Sequence, residues 1–126
     1  MPRKSAINRG TAKFQKLYLR ILNTVKAQFP NAPDEVIAEH AAQAVYKYAT
    51  ALGLYEGEWR GFKAFMASKN LLKSYRNEMG PLRSAVIHLV RLRMTGADDE
   101  QLRNAIESLS FDLEIKKLLK EYFGVQ

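Results

Sequence analysis

The chain has 126 residues, no cysteine, 47% hydrophobic residues and a formal net charge of +7. This length fits one domain with a real core, and the lack of cysteine excludes disulfide scaffolds, thiolate zinc sites and thiol catalysis. No apolar run approaches the roughly 18 residues of a membrane span, and Arg20 and Asn23 interrupt "LYLRILNTV", the nearest match to a signal-peptide core, so we expect a soluble, unprocessed chain.

Basic and acidic residues are segregated along the chain. Residues 1–30 carry seven Lys or Arg and no acid, and residues 59–93 carry eight basic residues and one Glu. Residues 31–58 and 94–126 are net acidic. Such blocks build a field of one sign over one face, and a positive field suits a polyanionic partner.

The first third of the chain predicts a basic arm followed by an amphipathic helix. The arm, "MPRKSAINRG", is residues 1–10 and is expected to be extended. Thr11 is placed as the helix N-cap and Pro30 as its stop. Apolar residues then follow one helical face: Phe14, Leu17, Tyr18, Ile21, Leu22, Val25 and Phe29. Lys13, Lys16 and Arg20 fall on the opposite face.

A second helix is predicted to begin at "NAPDE", where Pro33 suits the first turn and two acids suit the positive end of the helix dipole. It runs to about Leu52, and Gly53 ends it. Its expected inner face is rich in alanine: Val36, Ile37, Ala41, Ala44, Val45, Tyr48 and Leu52.

The rest of the chain predicts five more helical segments, the first two of them short. A short helix is expected near 58–67 with a break at Ser68, and another near 69–78. Pro81 begins a helix through Met94 that Gly96 ends. Asp98 or Asp99 caps the next to about Leu109, and Ser110 caps the last, before Gly124. The sequence therefore predicts an all-α fold: a compact bundle of about five to six helices over residues 11–126, with residues 1–10 as a basic arm.

A catalytic site is not predicted. His40 and His88 are 48 positions apart and belong to no metal-binding or acid–base pattern; we expect His40 to be a partly buried structural residue. The acidic clusters at 34–35 and 98–100 stand at helix starts, where dipole capping explains them. We expect no enzyme activity, cofactor, metal or small-molecule substrate.

Aromatic residues are concentrated between Tyr46 and Phe65, interleaved with Lys47, Arg60 and Lys63. The helical spacing of Trp59, Phe62, Phe65 and Met66 favours core packing, with base stacking or a protein interface as the alternative. For an interface, the candidates are Tyr46, Tyr55 and Trp59.

The basic blocks favour nucleic acid, with double-stranded DNA preferred. No zinc finger, basic zipper or RNA-recognition signature is present, so we expect binding that is largely independent of base sequence. The helix of residues 11–29 has no acid to form the i, i+4 pairs that would otherwise support it.

The layout of "MPRKSAINRG", a basic amphipathic helix and a cysteine-free helical bundle resembles the major coat proteins of filamentous archaeal viruses. In that family two related subunits pair, wrap linear double-stranded DNA and stack into a helical filament. The resemblance implies self-association or a homologous second subunit, and localisation in the virion, with the host cytoplasm during assembly. It also implies phosphate contacts by Arg3, Lys4, Arg9, Lys13, Lys16 and Arg20, and a second basic surface of Lys63, Lys69, Lys73, Arg76 and Arg83.

Two other classes stay open from the sequence. One is a small helical subunit of a CRISPR effector complex, which would depend on guide RNA. The other is a helix-turn-helix regulator, for which "SAVIHLVRLRM" is the candidate recognition helix but is strongly apolar. Either would be cytoplasmic.

Overall fold

The structure is a computed structural model that describes the backbone of residues 3–126 and the side chains of residues 16–126. Within that range the fold is all-α, as predicted, with no strand. Six α-helices and one 3₁₀ turn succeed one another along the chain: α1 (Arg3–Gln28), α2 (Asp34–Ala51), α3 (Leu54–Ser68), the turn Arg76–Glu78, α4 (Met79–Met94), α5 (Asp99–Glu107) and α6 (Leu113–Phe123).

The bounds of α1 take in residues 3–10, which the sequence predicts as an extended arm, and Thr11, its expected N-cap. No proline lies between Arg3 and Phe29, and Gly10 alone costs a helix only about 1 kcal/mol. Residues 1 and 2, and the side chains of 3–15, lie outside the described residues. The contacts of the arm therefore stay a prediction.

Helix α4 is the centre of the bundle. It contacts α1, α2, α3 and α5, and its buried side chains lie on more than one side of the helix: Leu82, Ala85, Val86, Leu89, Val90, Arg93 and Met94. An amphipathic surface helix would bury only one stripe. The apolar character of "SAVIHLVRLRM" is thus the signature of a central helix.

Helix α2 buries a narrower face than the sequence predicts. Its buried residues form a single i, i+4 row: Ile37, Ala41, Val45 and Ala49. Val36, Tyr48 and Leu52, assigned to the inner face from their spacing, are instead 44%, 54% and 58% exposed. The small alanines allow α1 to approach closely along that row. Val36, Tyr48 and Leu52 lie to either side of it and stay in solvent.

The predicted helix at 69–78 is wrong. Helix α3 ends in a Schellman motif, in which Asn70 takes the left-handed conformation with φ 60°. The Asn70 N–H donates to Ala67 O and the Leu71 N–H donates to Met66 O, both at 3.0 Å. These two hydrogen bonds end the helix in the way that a glycine at the C′ position usually does. A turn and the short 3₁₀ segment come next, with Leu71, Leu72 and Tyr75 packed on the core.

Other helix limits differ from the prediction as well. Helix α3 begins at Leu54, earlier than expected, directly after Gly53, whose φ is 71°. Asp98 caps α5 in a full capping box with Gln101, which confirms one of the two predicted caps. Asp112, and not Ser110, caps α6, because the Ile115 N–H donates to its Oδ1 at 3.0 Å.

An aromatic cluster joins α3 to the C-terminal helix α6. The Tyr122 ring packs on Phe62, Phe65 and Phe123, with centroids 5.4, 5.7 and 5.3 Å away. Its hydroxyl donates to the backbone O of Glu58 at 3.2 Å and lies 3.3 Å from its Oε1. Burial, followed by the charge of Glu58, raises the pKa of Tyr122 above its usual range.

Helix α6 lies very close to α3 at Gly61. A Cβ placed there would lie 2.5 Å from the Tyr122 Oη, and the ring cannot retreat because three aromatic rings surround it. We expect Gly61→Ala to lower the free energy of unfolding by about 1–3 kcal/mol in urea denaturation. Gly57→Ala in the same helix, where a Cβ meets nothing within 4 Å, should instead raise it by about 0.5–1 kcal/mol.

In a Tyr122→Phe background, which removes the hydroxyl, Gly61→Ala should lose most of its cost. Equal destabilisation by Gly61→Ala with and without the hydroxyl would contradict this contact.

The cap of α6 gives a pH-dependent contribution to stability. The Ile115 N–H and then the Tyr75 hydroxyl hold the pKa of Asp112 below its ordinary value of 3.8. A depressed carboxyl pKa stabilises the fold above that ordinary value and loses its effect as the pH falls through the folded value. Asp112→Asn, which keeps a capping side chain, should therefore be less stable than the wild type at neutral pH.

Urea denaturation of both proteins between about pH 7 and pH 2 measures this difference. The gap between the two curves should close below the ordinary carboxyl pKa. A gap that stays constant across the range would show that the charge of Asp112 contributes nothing.

Candidate nucleic-acid interface

The described part of α1 presents its cations to solvent. Leu17 is buried, and Tyr18 and Ile21 pack against the core, which turns the opposite side of the helix outward. Lys16 and Arg20 are exposed on that side, and Lys26 is exposed nearer the C-terminal end. The Thr24 hydroxyl donates to the Arg20 backbone O at 3.1 Å, so it does not engage the Arg20 guanidinium.

None of these three cations has an acidic partner within residues 16–126. The four ion pairs found in that range all involve cations from residue 69 onward: Lys69–Glu121, Arg83–Glu56, Arg93–Asp99 and Lys120–Glu107. Lys16, Arg20 and Lys26 therefore keep their full charge for an external anion. Arg3, Lys4, Arg9 and Lys13 have side chains outside the described residues, so their place at this surface stays a prediction.

The predicted second basic surface is divided by ion pairs. Lys69 Nζ lies 3.3 Å from Glu121 Oε2 and 5.2 Å from the centre of the Phe65 ring. Arg83 is paired with Glu56. The fold brings carboxylates of the two acidic blocks against cations of the basic block, which no pattern along the chain reveals.

Three members of that surface have no carboxylate within ion-pair distance among residues 16–126. Lys73 and Arg76 are exposed, and Lys63 is half-buried with its Nζ 5.7 Å from the centre of the Trp59 ring. Exposed ion pairs are worth only about 0–1 kcal/mol, so Lys69 and Arg83 are less available to an external anion than these three cations but are still accessible to one.

Two of the three predicted interface aromatics are core residues. Tyr55 and Trp59 are each only 6% exposed. The Tyr55 hydroxyl donates to Met94 Sδ at 3.4 Å, and Trp59 stacks on Phe62 at 6.2 Å. Both are therefore excluded as exposed contacts. Because α3 begins at Leu54, Tyr55 and Trp59 lie one turn apart on its buried face. The core interpretation of Trp59 is confirmed.

Tyr46 remains an accessible aromatic residue, at 38% exposure. Its ring packs on Tyr55 at 5.5 Å, and the Arg91 guanidinium lies 4.1 Å from its centre. Burial is the main cause that raises the pKa of Tyr55 to about 12, against an opposing effect of Arg91.

Beside Tyr46 lies a groove between α2 and α4. Its volume is about 380 Å³, and it is lined by Ala42, Tyr46, Lys47, Arg91, Met94 and Thr95 among others. From the sequence, Arg91 is only one of the cations of residues 59–93, and Lys47 is only a cation among the aromatic residues near Tyr46. Their shared groove depends on the pairing of two helices that are distant in sequence.

His40 is exposed rather than partly buried, because it lies outside the narrow buried row of α2. His88 is exposed as well. Among the side chains that the structure describes, no three His, Asp or Glu residues are placed to share a metal ion. None of the described helices is both long and apolar enough to cross a bilayer.

Comparisons of this chain with protein-family models, with curated proteins and with solved structures each find no match.

Proposed function

We propose that this protein binds double-stranded DNA without sequence preference through the outer face of α1 and the basic residues of the arm, residues 1–10. The observation that carries the proposal is the contrast in ion pairing within residues 16–126: the cations of α1 have no acidic partner there, whereas four cations later in the chain do. A helix face of unpaired cations is what phosphate contacts require.

The absence of acids in residues 1–30 supports the same role. Exposed helices are ordinarily stabilised by oppositely charged i, i+4 pairs, and this helix gives up that stabilisation. Its stability must then come from packing on α2 and α4. A helix held by tertiary packing can keep a wholly positive outer face.

Assembly is the second part of the proposal. One α1 face covers only a short length of duplex, so many copies would be needed to coat a DNA molecule. Together with the layout shared with the coat proteins of filamentous archaeal viruses, this supports a structural role: a subunit that coats linear DNA as a helical filament in a virion, alone or with a homologous second subunit.

A helix-turn-helix regulator is a poorer explanation. Helix α4, the candidate recognition helix, is buried at seven positions from Leu82 to Met94. A recognition helix must leave one face free to enter the major groove. Placing α4 in DNA would expose the core.

Salt dependence tests the electrostatic part of the proposal. With about six to seven phosphate contacts, log K should fall against log salt with a slope near −6 on duplex DNA. Fluorescence anisotropy on two unrelated short duplexes, over about 50–200 mM salt, measures both the slope and the sequence preference. A slope shallower than about −2, or a strong preference for one duplex, would refute it.

A pair of neutralised variants tests the surface. Lys16→Gln with Arg20→Gln removes two phosphate contacts, so the salt slope should become shallower by about 2 while the helical circular-dichroism spectrum is unchanged. Arg60→Gln with Lys117→Gln is the matched control, since it removes the same charge from two exposed residues outside the proposed DNA surface and outside the groove between α2 and α4. An equal loss of DNA affinity in both variants would show that only the net charge matters. If the wild type binds single-stranded RNA more tightly than duplex DNA, a guide-RNA complex is the better explanation.

A further inference from the structure

The groove between α2 and α4 has the features of a docking site. The ring of Tyr46 contributes apolar surface, Ala42 leaves room beside it, and the almost fully buried Met94 also lines the groove. Lys47 and Arg91 supply two positive charges. Neither cation has a carboxylate within ion-pair distance among the described side chains. The occupant that suits this groove is an apolar side chain flanked by acids.

This chain carries such a segment at the start of α6. Leu113 is 81% exposed, the highest value among the large hydrophobic side chains that the structure describes. It stands between Asp112 and Glu114. An isolated leucine in water is ordinary, but an almost fully exposed one between two carboxylates matches the groove in both polarity and charge.

The segment is also held in a fixed shape. The Tyr75 hydroxyl contacts Asp112 Oδ2 at 2.8 Å and Glu114 Oε1 at 3.1 Å. Asp112 accepts in addition from the Ile115 N–H at 3.0 Å as the cap of α6. A rigid segment loses little conformational entropy on docking, which favours binding.

The segment and the groove lie at opposite ends of α4. Tyr75, which contacts Asp112 and Glu114, precedes the 3₁₀ turn that leads into Met79. Arg91, Met94 and Thr95 belong to the other end of the helix. Sixteen helical residues span about 24 Å, so the two features meet only between different molecules.

We propose that Leu113, with Asp112 and Glu114, docks in the α2–α4 groove of a second copy of this chain, with the acids facing Lys47 and Arg91. This contact deepens the assembly part of the proposed function and rests on it. The contact joins two different surfaces, and we take it to be head-to-tail, continuing from copy to copy instead of closing as a reciprocal pair.

Sedimentation velocity without nucleic acid tests the contact, so that its failure is separate from a failure of DNA binding. The wild type should form species larger than a dimer as its concentration rises. Leu113→Asp should raise the dissociation constant at least about tenfold and remain monomeric. Leu52→Asp is the matched control, because Leu52 is 58% exposed elsewhere and should leave assembly unchanged. A wild type that is monomeric, or that stops at a dimer, overturns the proposal.

Mixing two blocked variants distinguishes a contact between segment and groove from one in which both copies use the same patch. Ala42→Trp fills the groove and leaves Leu113 intact, whereas Leu113→Asp leaves the groove intact. Each variant alone should stay monomeric, and an equal mixture should give a dimer that does not grow. A mixture that stays monomeric, or two variants that assemble as the wild type does, overturns the proposal.

A charge exchange tests the orientation and does not depend on filling the groove. Lys47→Glu and Glu114→Lys should each weaken assembly, and the two combined in one chain should restore it to within a few-fold of the wild type. Binding of Leu113→Asp to a short duplex, measured in parallel, should match the wild type. If the double exchange is weaker than both single variants, the carboxylates do not face Lys47 as proposed.

Discussion

The C-terminal half of the bundle depends on one buried guanidinium. Arg93, 9% exposed, donates from Nη1 to Asp99 Oδ1 at 2.9 Å and to Ala97 O at 3.3 Å, and from Nη2 to Phe123 O at 3.4 Å. These bonds tie the end of α4 to the start of α5 and to the end of α6. A buried charge is tolerated only when such acceptors surround it. The placement of Tyr122 in the aromatic cluster follows from this arrangement, because α6 is fixed at its far end.

Some cations of this protein form ion pairs within the fold, and others have no acidic partner among the described residues. The acidic blocks pair with four of the cations from residue 69 onward, and these pairs join Lys69 to α6, α4 to α3, and α6 to α5 among others. Helix α1 receives no such neutralisation in its described part. The net charge of +7 is thus distributed unequally, and no carboxylate competes for the described cations of α1. Charge blocks along a sequence become a binding surface only where the fold keeps them apart.

Much of the fold could be predicted because it rests on local rules. Pro33, Gly53, Gly96 and the box at Asp98 mark helix limits through backbone geometry and capping. Asn70 was missed because asparagine enters the left-handed region less often than glycine does, although its Schellman bonds are of the same kind. The burial of Tyr55 and Trp59, the pairing of Lys69 and Arg83, and the α2–α4 groove all depend on which helices meet. Helical periodicity specifies a face but not its neighbour, so these features could not be read from the sequence.

The bond between Tyr122 and Glu58 joins residues 64 positions apart and has a consequence for synthesis. Phe62 and Phe65 leave the ribosome before the ring that covers them exists. At about 5–20 residues per second, the apolar face of α3 waits several seconds for α6. During that interval it is open to aggregation or to chaperones, and the positively charged α1, made first, is already available to anionic partners. The order of translation therefore exposes the positively charged helix α1 before the core that supports it is complete.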